Sequence, residues 1–417
     1  MSMEAGRIVT MRYAAEPFRL FFPLGILASV IGVLLWPAFF RGWIPYYPLE
    51  AHARWMVIGF GGSFITGFLG TAGPRLLGNK PWTPVELGML LISALAMMSC
   101  LAANRIAAAD LLAGIWLLGL LGSLLFRVLH GRQDVPPPGL PLAALGIGGA
   151  GIAGIMLSLV TTIGYSVETY SFLRYVYFQG LLWLPVLGVA PYLIPRFFGK
   201  ESPHSFEDSG TIPPGWMRAF SISVLAGLLM VTSFALEAWV DVRAGMILRV
   251  LVFTTYLFLC VPGLFPVGRV NGLGLALRLV VPCVVSGWLL AVCFPLLRIG
   301  MLHLAFIGGA GLLMLAVGTR VIFGHHDRHD LLASPMRWFH LVWGLVLLTA
   351  ATRLSSDFVV KVRITHFTYA AVLWVFISAF WWWKIRRELS CPAPENGVSR
   401  SKCPKRRRGA VGRGSEG

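Results

Sequence analysis

The chain is constrained most strongly by a series of apolar runs that begins near Leu20 and continues to Trp383. Many of these runs reach the length of about 20 residues that a helix needs to cross the hydrocarbon core of a bilayer. Lipid offers no hydrogen-bond partners to the backbone, so such runs form helices in a membrane. No polar block between them is large enough to be a separate globule. The pattern predicts an all-α integral membrane protein with one bundle of helices.

We assign twelve transmembrane helices to these runs. Their approximate limits are 20–40, 55–74, 86–103, 106–126, 139–163, 174–195, 217–236, 246–267, 275–297, 299–318, 337–352 and 364–383. The shortest breaks lie at Asn104-Arg105 and at Arg298, and without them the count falls to ten or eleven. Residues 1–383 then form the polytopic membrane domain, and residues 384–417 form a basic cytoplasmic tail that we expect to be disordered.

The composition agrees with this fold class. Charged residues make up 13% of the chain, against roughly 25% in soluble domains. So few charges cannot cover the surface of a soluble globule, and the abundance of Trp, Phe and aliphatic residues excludes intrinsic disorder. Glycine clusters at 59–62 and 146–151 lie inside spans two and five, where they indicate close helix packing. Nucleotide binding is disfavoured because no phosphate-binding lysine accompanies them.

The formal net charge of +17 is concentrated near the C-terminus. Ten of the 35 Lys and Arg residues follow Trp383, where only three Glu residues oppose them. The basic cluster 402–408 comes soon after a membrane span, and anionic headgroups attract such residues by about 1 kcal/mol each. We therefore expect the tail to contact anionic lipids of the bilayer and not nucleic acid.

The distribution of basic residues also predicts the orientation. Twelve spans place both termini on one side, and that side carries 25 of the 35 Lys and Arg residues. When the ten in the tail are left out, the same side still carries 15 of the remaining 25. The positive-inside rule then places both termini in the cytoplasm. The first run has no small-residue cleavage pattern after it, so we expect a retained signal anchor.

The cysteines exclude several kinds of site. None of the six has Cys-x-x-Cys spacing, so the sequence supports neither a zinc site nor a disulfide framework. The absence of Cys-x-x-Cys-His excludes covalently attached c-type haem. No general acid–base pair or activated nucleophile is visible either, and the sequence assigns no catalytic residues.

Three histidines share a predicted depth in the membrane. His52 opens span two, His303 opens span ten and His366 opens span twelve, and even-numbered spans begin at the outer face. Neutral imidazole ligates haem iron and copper, and polar groups inside a membrane usually mark a site. We therefore predict that these three residues are metal ligands. The alternative is that each ring only bonds a neighbouring backbone carbonyl.

Other polar residues receive a structural interpretation. The histidine-rich segment 325–329 has the ingredients of a metal site, but we interpret it as a solvated cytoplasmic loop. Asp110 lies inside span four, and the sequence does not name its partner. Glu237 and Asp241 are one helical turn apart beside Arg243, which predicts an interfacial cluster of salt bridges.

Two stretches of the chain resemble the NnrS family. The first opens at His52 in span two and ends in Gly67-Phe68-Leu69-Gly70-Thr71-Ala72-Gly73-Pro74. The second occupies span ten and includes Leu302-His303, Thr319-Arg320 and Gly324-His325. Weaker similarity covers 194–198 and 371–374, so the resemblance extends over nearly the whole membrane domain.

NnrS proteins are bacterial inner-membrane proteins associated with haem and copper and linked to nitric oxide metabolism and nitrosative stress. The resemblance implies a multi-pass protein of the bacterial cytoplasmic membrane that holds haem b, with copper as a second candidate metal. Nitric oxide is the candidate ligand, and protein partners are unknown. By position, His52 corresponds to the first histidine of the family and His303 to the histidine of span ten.

The chain departs from the family pattern just after its first histidine. The family commonly has a second His and a Glu there, and this chain has Arg54 and Trp55. His366 is the nearest candidate to replace the missing histidine. Arg54 is a candidate partner of a haem propionate, and its alternative role is to extend to the membrane interface.

Three other functions remain as alternatives. Twelve spans with internal prolines are also typical of a secondary transporter of a small solute. A catalytic subunit like those of haem-copper oxidases also has about twelve spans, but the histidine-free stretch 205–302 argues against its copper site. A relative that lacks metals and acts as a membrane interaction partner is the third alternative.

Overall fold

The computed structural model describes residues 11–200, 210–261, 264, 270–326 and 328–390. The described residues are 84% helical and contain no strand. The predicted all-α membrane bundle is therefore confirmed. Most of the predicted basic tail lies outside the described residues.

Twelve helices are long and apolar enough to cross a membrane, which confirms the predicted count within the described ranges. In chain order they are α1 (Phe18–Phe40), α2 (Leu49–Leu76), α3 (Pro84–Ala102), α4 (Ile106–Leu129), α5 (Leu140–Ser158), α6 (Val167–Phe197), α7 (Trp216–Trp239), α8 (Val242–Cys260), α9 (Gly272–Cys293), α10 (Pro295–Gly324), α11 (Arg337–Phe358) and α12 (Val360–Leu389).

Of the two shortest breaks in the apolar pattern, one lies where the sequence predicts it and the other lies a few residues earlier. Between α3 and α4, Asn104 adopts a positive φ of 53°, a left-handed conformation that Asn tolerates and that ends a helix. The second break lies a few residues before Arg298, because α9 ends at Cys293 and Pro295 opens the first turn of α10. Proline suits that position since the first turn leaves its N–H groups without helical partners.

Both ends of the described chain lie at the same end of the bundle. Arg19, in the first turn of α1, donates a hydrogen bond to the backbone carbonyl of Leu389 at the end of α12. We call this the predicted inner end and the opposite one the predicted outer end, because the orientation itself stays a prediction. His52, His303 and His366 belong to turns at the predicted outer end.

Three helices form the centre of the bundle. In α2, α6 and α10, between 72% and 83% of the most apolar 18-residue window is buried, against 33% to 56% in the other nine helices. Helix α2 contacts both α6 and α10, and the remaining helices pack around these three. Because the central helices are the second, sixth and tenth, the chain repeats a pattern of four helices three times. Comparison of two halves of the sequence would miss this pattern.

Each central helix contains a π-helical segment, namely Trp55–Gly62 in α2, Val176–Gly180 in α6 and Leu304–Gly311 in α10. Such segments are rare and are often found at functional sites. Gly61 shows why glycine is needed in them, since a Cβ there would lie 2.7 Å from the Leu182 side chain. This contact shows the close helix packing that the sequence predicts for the glycine cluster at 59–62.

An apolar cavity lies between the central helices, further toward the predicted inner end than the π-helical segments. It encloses about 850 Å³ of space including its open mouth, and all nineteen side chains around it are apolar. Phe64, Pro185 and Leu313 contribute to it from the three central helices, and Phe253 and Val280 from α8 and α9. This cavity therefore offers no polar side chain to a charged or strongly polar solute.

A buried ion pair joins α2 to α4. The Nε and Nη2 atoms of Arg54 donate to the two carboxylate oxygens of Asp110 at 2.7 and 2.6 Å, and both side chains are almost fully buried. Nη1 of Arg54 donates to the Glu50 carboxylate at 2.5 Å. Glu50 also pairs with Arg174 at the start of α6. The network therefore holds α2, α4 and α6 together at the predicted outer end.

A second buried network surrounds Glu237 at the end of α7. Arg249 donates to one carboxylate oxygen at 2.5 Å, and Arg298 donates to the other at 3.2 Å. Glu237 and Arg249 are both fully buried, and Gln179 of α6 accepts a further bond from Arg249. The predicted cluster with Asp241 is therefore wrong. That carboxylate instead accepts the Ala244 amide hydrogen and caps α8.

Removal of Arg54 should destabilise the bundle strongly. In the variant Arg54→Met the Asp110 carboxylate stays buried without its cation, which costs about 3–5 kcal/mol for pairs of this kind. Titration with a denaturing detergent measures this free energy of unfolding. The double variant Arg54→Met/Asp110→Leu should recover much of the loss because both charges are gone. Arg243→Met, at an exposed position, is the control, and an equal loss there would contradict the assignment.

Candidate functional site

Two of the three predicted histidines lie together at the predicted outer end. The rings of His52 and His303 have centroids 6.5 Å apart, and their planes differ by 17°. His52 lies just before the π-helical segment of α2, and His303 lies just before that of α10. The two central helices therefore bring to one place residues that are distant in sequence. Both rings are partly buried.

Backbone hydrogen bonds define the protonation of the two rings. Nδ1 of His52 is 2.9 Å from the carbonyl oxygen of Gly32 in α1, and Nδ1 of His303 is 2.6 Å from that of Ile299. A carbonyl oxygen only accepts, so each Nδ1 carries the hydrogen. In the neutral imidazole each Nε2 then keeps its lone pair, and within the described residues neither Nε2 has a hydrogen-bond partner. Metal-binding histidines commonly show this arrangement.

Aromatic side chains surround the histidine pair. Trp36 of α1 makes edge contacts with His52 and with Phe367 of α12, at centroid distances of 5.8 and 4.9 Å. Phe306 makes an edge contact with His303 at 6.3 Å. These rings limit the access of water to the imidazoles and so maintain a low local dielectric constant.

His366 does not join the pair. Its Nδ1 lies 2.8 Å from the Ser355 hydroxyl oxygen on α11, and its nearest ring contact is with Tyr369. Among the described residues, no group of three or more His, Cys, Asp or Glu side chains is close enough to hold a metal ion. His366 shares the predicted depth of the pair, but among the described residues its ring contacts neither His52 nor His303. Its role as a ligand stays a prediction.

The surroundings of Arg54 also differ from those that the sequence predicts. Its side chain is buried and does not extend to the interface, and its guanidinium binds Asp110 and Glu50. A propionate partner would have to compete with these two carboxylates. Asp110, whose partner the sequence did not name, is explained by the same contact.

Arg353 of α11 is a charged residue of this site that the sequence analysis missed. Its guanidinium carbon lies 4.3 Å from the centre of the Phe367 ring, which itself contacts Trp36 beside His52. Charged residues inside a membrane span are rare and usually functional. Arg353 followed by Asp357 one turn later, inside an apolar run, was the sequence signal that could have revealed it.

His325 and His326 at the predicted inner end are packed, so the interpretation of a solvated loop is wrong for these two residues. Nε2 of His325 accepts from Arg75 at 2.5 Å, and its Nδ1 donates to the Val321 carbonyl at 2.8 Å. His326 is buried and bonds Arg19 through Nε2 at 3.0 Å. These contacts connect the ends of α1, α2 and α10.

Comparison with known proteins yields one family. The family described as NnrS protein matches residues 12–392, which is nearly the whole chain and includes both α2 and α10. No curated protein matches the chain.

The stability of the protein should depend on the protonation of His325. Burial and the neighbouring Arg75 lower its pKa from 6.5 to about 4, so between these values the unfolded chain binds the proton and the folded chain does not. Stability should therefore fall as the pH decreases from 6.5 to 4. Thermal unfolding in detergent at several pH values measures this slope.

The variant His325→Gln should show a shallower slope over the same range of pH, because the group that titrates is gone. His130→Gln, at an exposed position, is the matched control and should keep the original slope. Identical slopes in all three proteins would contradict this role of His325.

Proposed function

The chain belongs to the NnrS family, and we propose that it is a membrane haem protein of the nitric oxide response, with His52 and His303 as the haem ligands. Family membership suggests the role in the nitric oxide response. The observation that carries the haem assignment is the pair of imidazoles with their Nδ1 atoms bonded to backbone carbonyls.

The ring separation fits one metal ion shared by both residues. Metal–nitrogen bonds of about 2 Å on each side, together with the two ring radii, place the centroids of two such imidazoles about 6 Å apart. The observed distance is 6.5 Å with nearly parallel planes. The separation of the two rings is therefore that expected for two imidazoles that share one iron.

The small number of protein ligands favours haem over an isolated copper or zinc ion. Such an ion usually needs three or four protein ligands, whereas haem iron receives four nitrogens from its macrocycle and needs one or two from the protein. The described residues supply a pair of histidines and no third ligand beside it. Copper therefore remains a second candidate that requires a ligand from another source.

The surrounding residues determine how such a group would be held. The carbonyls of Gly32 and Ile299 orient the two rings and keep each Nε2 available. Trp36 and Phe306 shield the rings from water. When bound, the haem would supply an iron atom, to which a diatomic gas such as nitric oxide could bind in place of one of the two imidazoles. The site lies at the membrane edge, on the outer side of the bacterial cytoplasmic membrane if the proposed orientation holds.

A transporter of a polar solute is supported less well. Such a protein needs polar groups at a site near the middle of the membrane, often on broken helices. The cavity between the central helices is lined by apolar side chains alone. The contacts that we propose between the C-terminal tail and anionic lipids do not depend on whether the protein binds haem or transports a solute.

Absorption spectra test the proposal directly. The purified full-length protein is measured in oxidised and reduced forms, and iron and copper are determined on the same sample. A Soret band that shifts on reduction, together with near-stoichiometric iron, supports a haem protein. A colourless, metal-free preparation from haem-replete cells would contradict it. Addition of nitric oxide to the reduced protein then shows whether the gas binds.

Replacement of either histidine should reduce the haem content. The variants His52→Ala and His303→Ala would each remove one of the two proposed haem ligands, so haem would bind less tightly and the visible spectrum of the remaining complex would change. The haem-to-protein ratio and the spectrum of each variant are the measurements. His340→Ala, at the predicted inner end, is the control. Full retention of haem with an unchanged spectrum in both variants would remove this pair from the site.

A further inference from the structure

Only some of the hydrogen-bond donors of the Arg353 guanidinium have partners among the described residues. Its Nη1 atom donates to the Ser356 hydroxyl and to the Asp357 carboxylate, both at 2.9 Å. Its side chain is 13% exposed. Within the described residues, Nε and Nη2 have no hydrogen-bond partner. Three of its five N–H donors are therefore available on the edge that binds planar oxyanions through two parallel bonds.

The position of the Asp357 carboxylate prevents it from accepting hydrogen bonds from Nε and Nη2 of Arg353. A Cβ on Gly300 would lie 1.8 Å from an Asp357 carboxylate oxygen, so this carboxylate is packed tightly against the α10 backbone. Gly300 lies one helical turn before His303. The ion pair is therefore locked to the same part of α10 that carries the histidine.

The charges around this position are not balanced. Arg363 acts electrostatically on Arg353 and donates to the Ser356 carbonyl at 3.4 Å, so two cations lie near a single carboxylate. A surplus positive charge in surroundings of low dielectric constant favours the binding of an anion.

A short series of contacts connects this cation to the histidine pair. The guanidinium of Arg353 lies over the Phe367 ring, Phe367 contacts Trp36 at 4.9 Å, and Trp36 contacts His52 at 5.8 Å. Arg353 therefore lies beside the aromatic rings that surround the pair, where it can meet an anionic group extending from a ligand held by the histidines.

We propose that Arg353 binds a carboxylate or a similar planar oxyanion of the ligand that occupies the histidine pair. This proposal rests on the proposed haem site. It assigns to Arg353 the partnership with a haem propionate that the sequence had suggested for Arg54, whose guanidinium is taken by Asp110 and Glu50. The same chemistry would also recognise a small free oxyanion beside the iron.

The test compares two forms of one ligand. The full-length protein, prepared without haem, is titrated with ferric haem and with haem whose two propionates are methyl esters. The unchanged protein should bind haem roughly ten- to hundredfold more tightly than the ester, as for hydrogen bonds to charged groups. Arg353→Gln should lose this preference while its affinity for the ester stays unchanged. Arg353→Lys should keep part of it, because the charge remains but the planar pair of donors is lost.

Matched controls separate recognition from folding. Arg243→Gln removes an equal charge from an exposed position at the start of α8 and should keep the preference. Thermal unfolding of each variant reports on its fold. If Arg353→Gln weakens the haem and its ester equally, the residue only supports the structure and the proposal is wrong.

A second titration identifies a free anion as the source. Acetate and nitrite are added to the haem-free protein and to the ester-loaded protein, and calorimetry and the visible spectrum are followed. Saturable binding that disappears in Arg353→Gln supports a free oxyanion at this residue. Absence of both this binding and the preference for haem would overturn the proposal. If neither haem nor its ester binds, the proposed function fails, and the anion titration alone decides the role of Arg353.

Discussion

Lipid supplies neither water nor counter-charge, so each charged side chain inside this bundle needs a partner within the protein. This constraint accounts for the ion pairs of Arg54 with Asp110 and of Arg249 with Glu237, whose side chains are almost completely buried. The first pair joins α2 to α4, whereas the second joins the consecutive helices α7 and α8, and Arg249 also bonds Gln179 of α6. The central helices α2 and α6 are therefore attached to their neighbours by contacts that are strongly destabilising to break. The histidine pair depends on this support, because its two rings lie on separate helices.

The order of the helices explains where the site lies. Helices α2, α6 and α10 are central, and each contains a π-helical segment. In α2 and α10 a histidine comes just before this segment. Proximity of the rings therefore follows from the repeat of four helices. At the corresponding place α6 carries Arg174, which pairs with Glu50, so the third central helix contributes to the ionic network and not to the pair.

The sequence predicted how deep these residues lie in the membrane better than it predicted which residues of other helices they contact. His52, His303 and His366 were assigned to one depth because the order of spans determines depth. Only the first two meet, since their helices are both central, whereas His366 lies on peripheral α12 and bonds Ser355. Arg54 and Arg353 also share a depth that the sequence predicts but have neighbours that it does not predict. Both occupy turns at the predicted outer end, but Arg54 faces Asp110 while Arg353 lies beside the aromatic rings of the site.

The sequence by itself determined the number of helices, the membrane environment and the family, because these depend on the length and composition of local apolar runs and on motifs within single helices. It also predicted one depth for three histidines, of which the structure brings His52 and His303 together. Only the tertiary structure decided which side chains meet, including the partner of Asp110, the surroundings of Glu237 and the free edge of Arg353. The physical reason is that a helix in lipid is specified by its own residues, whereas its rotation and neighbours follow from packing and charge pairing across the whole bundle.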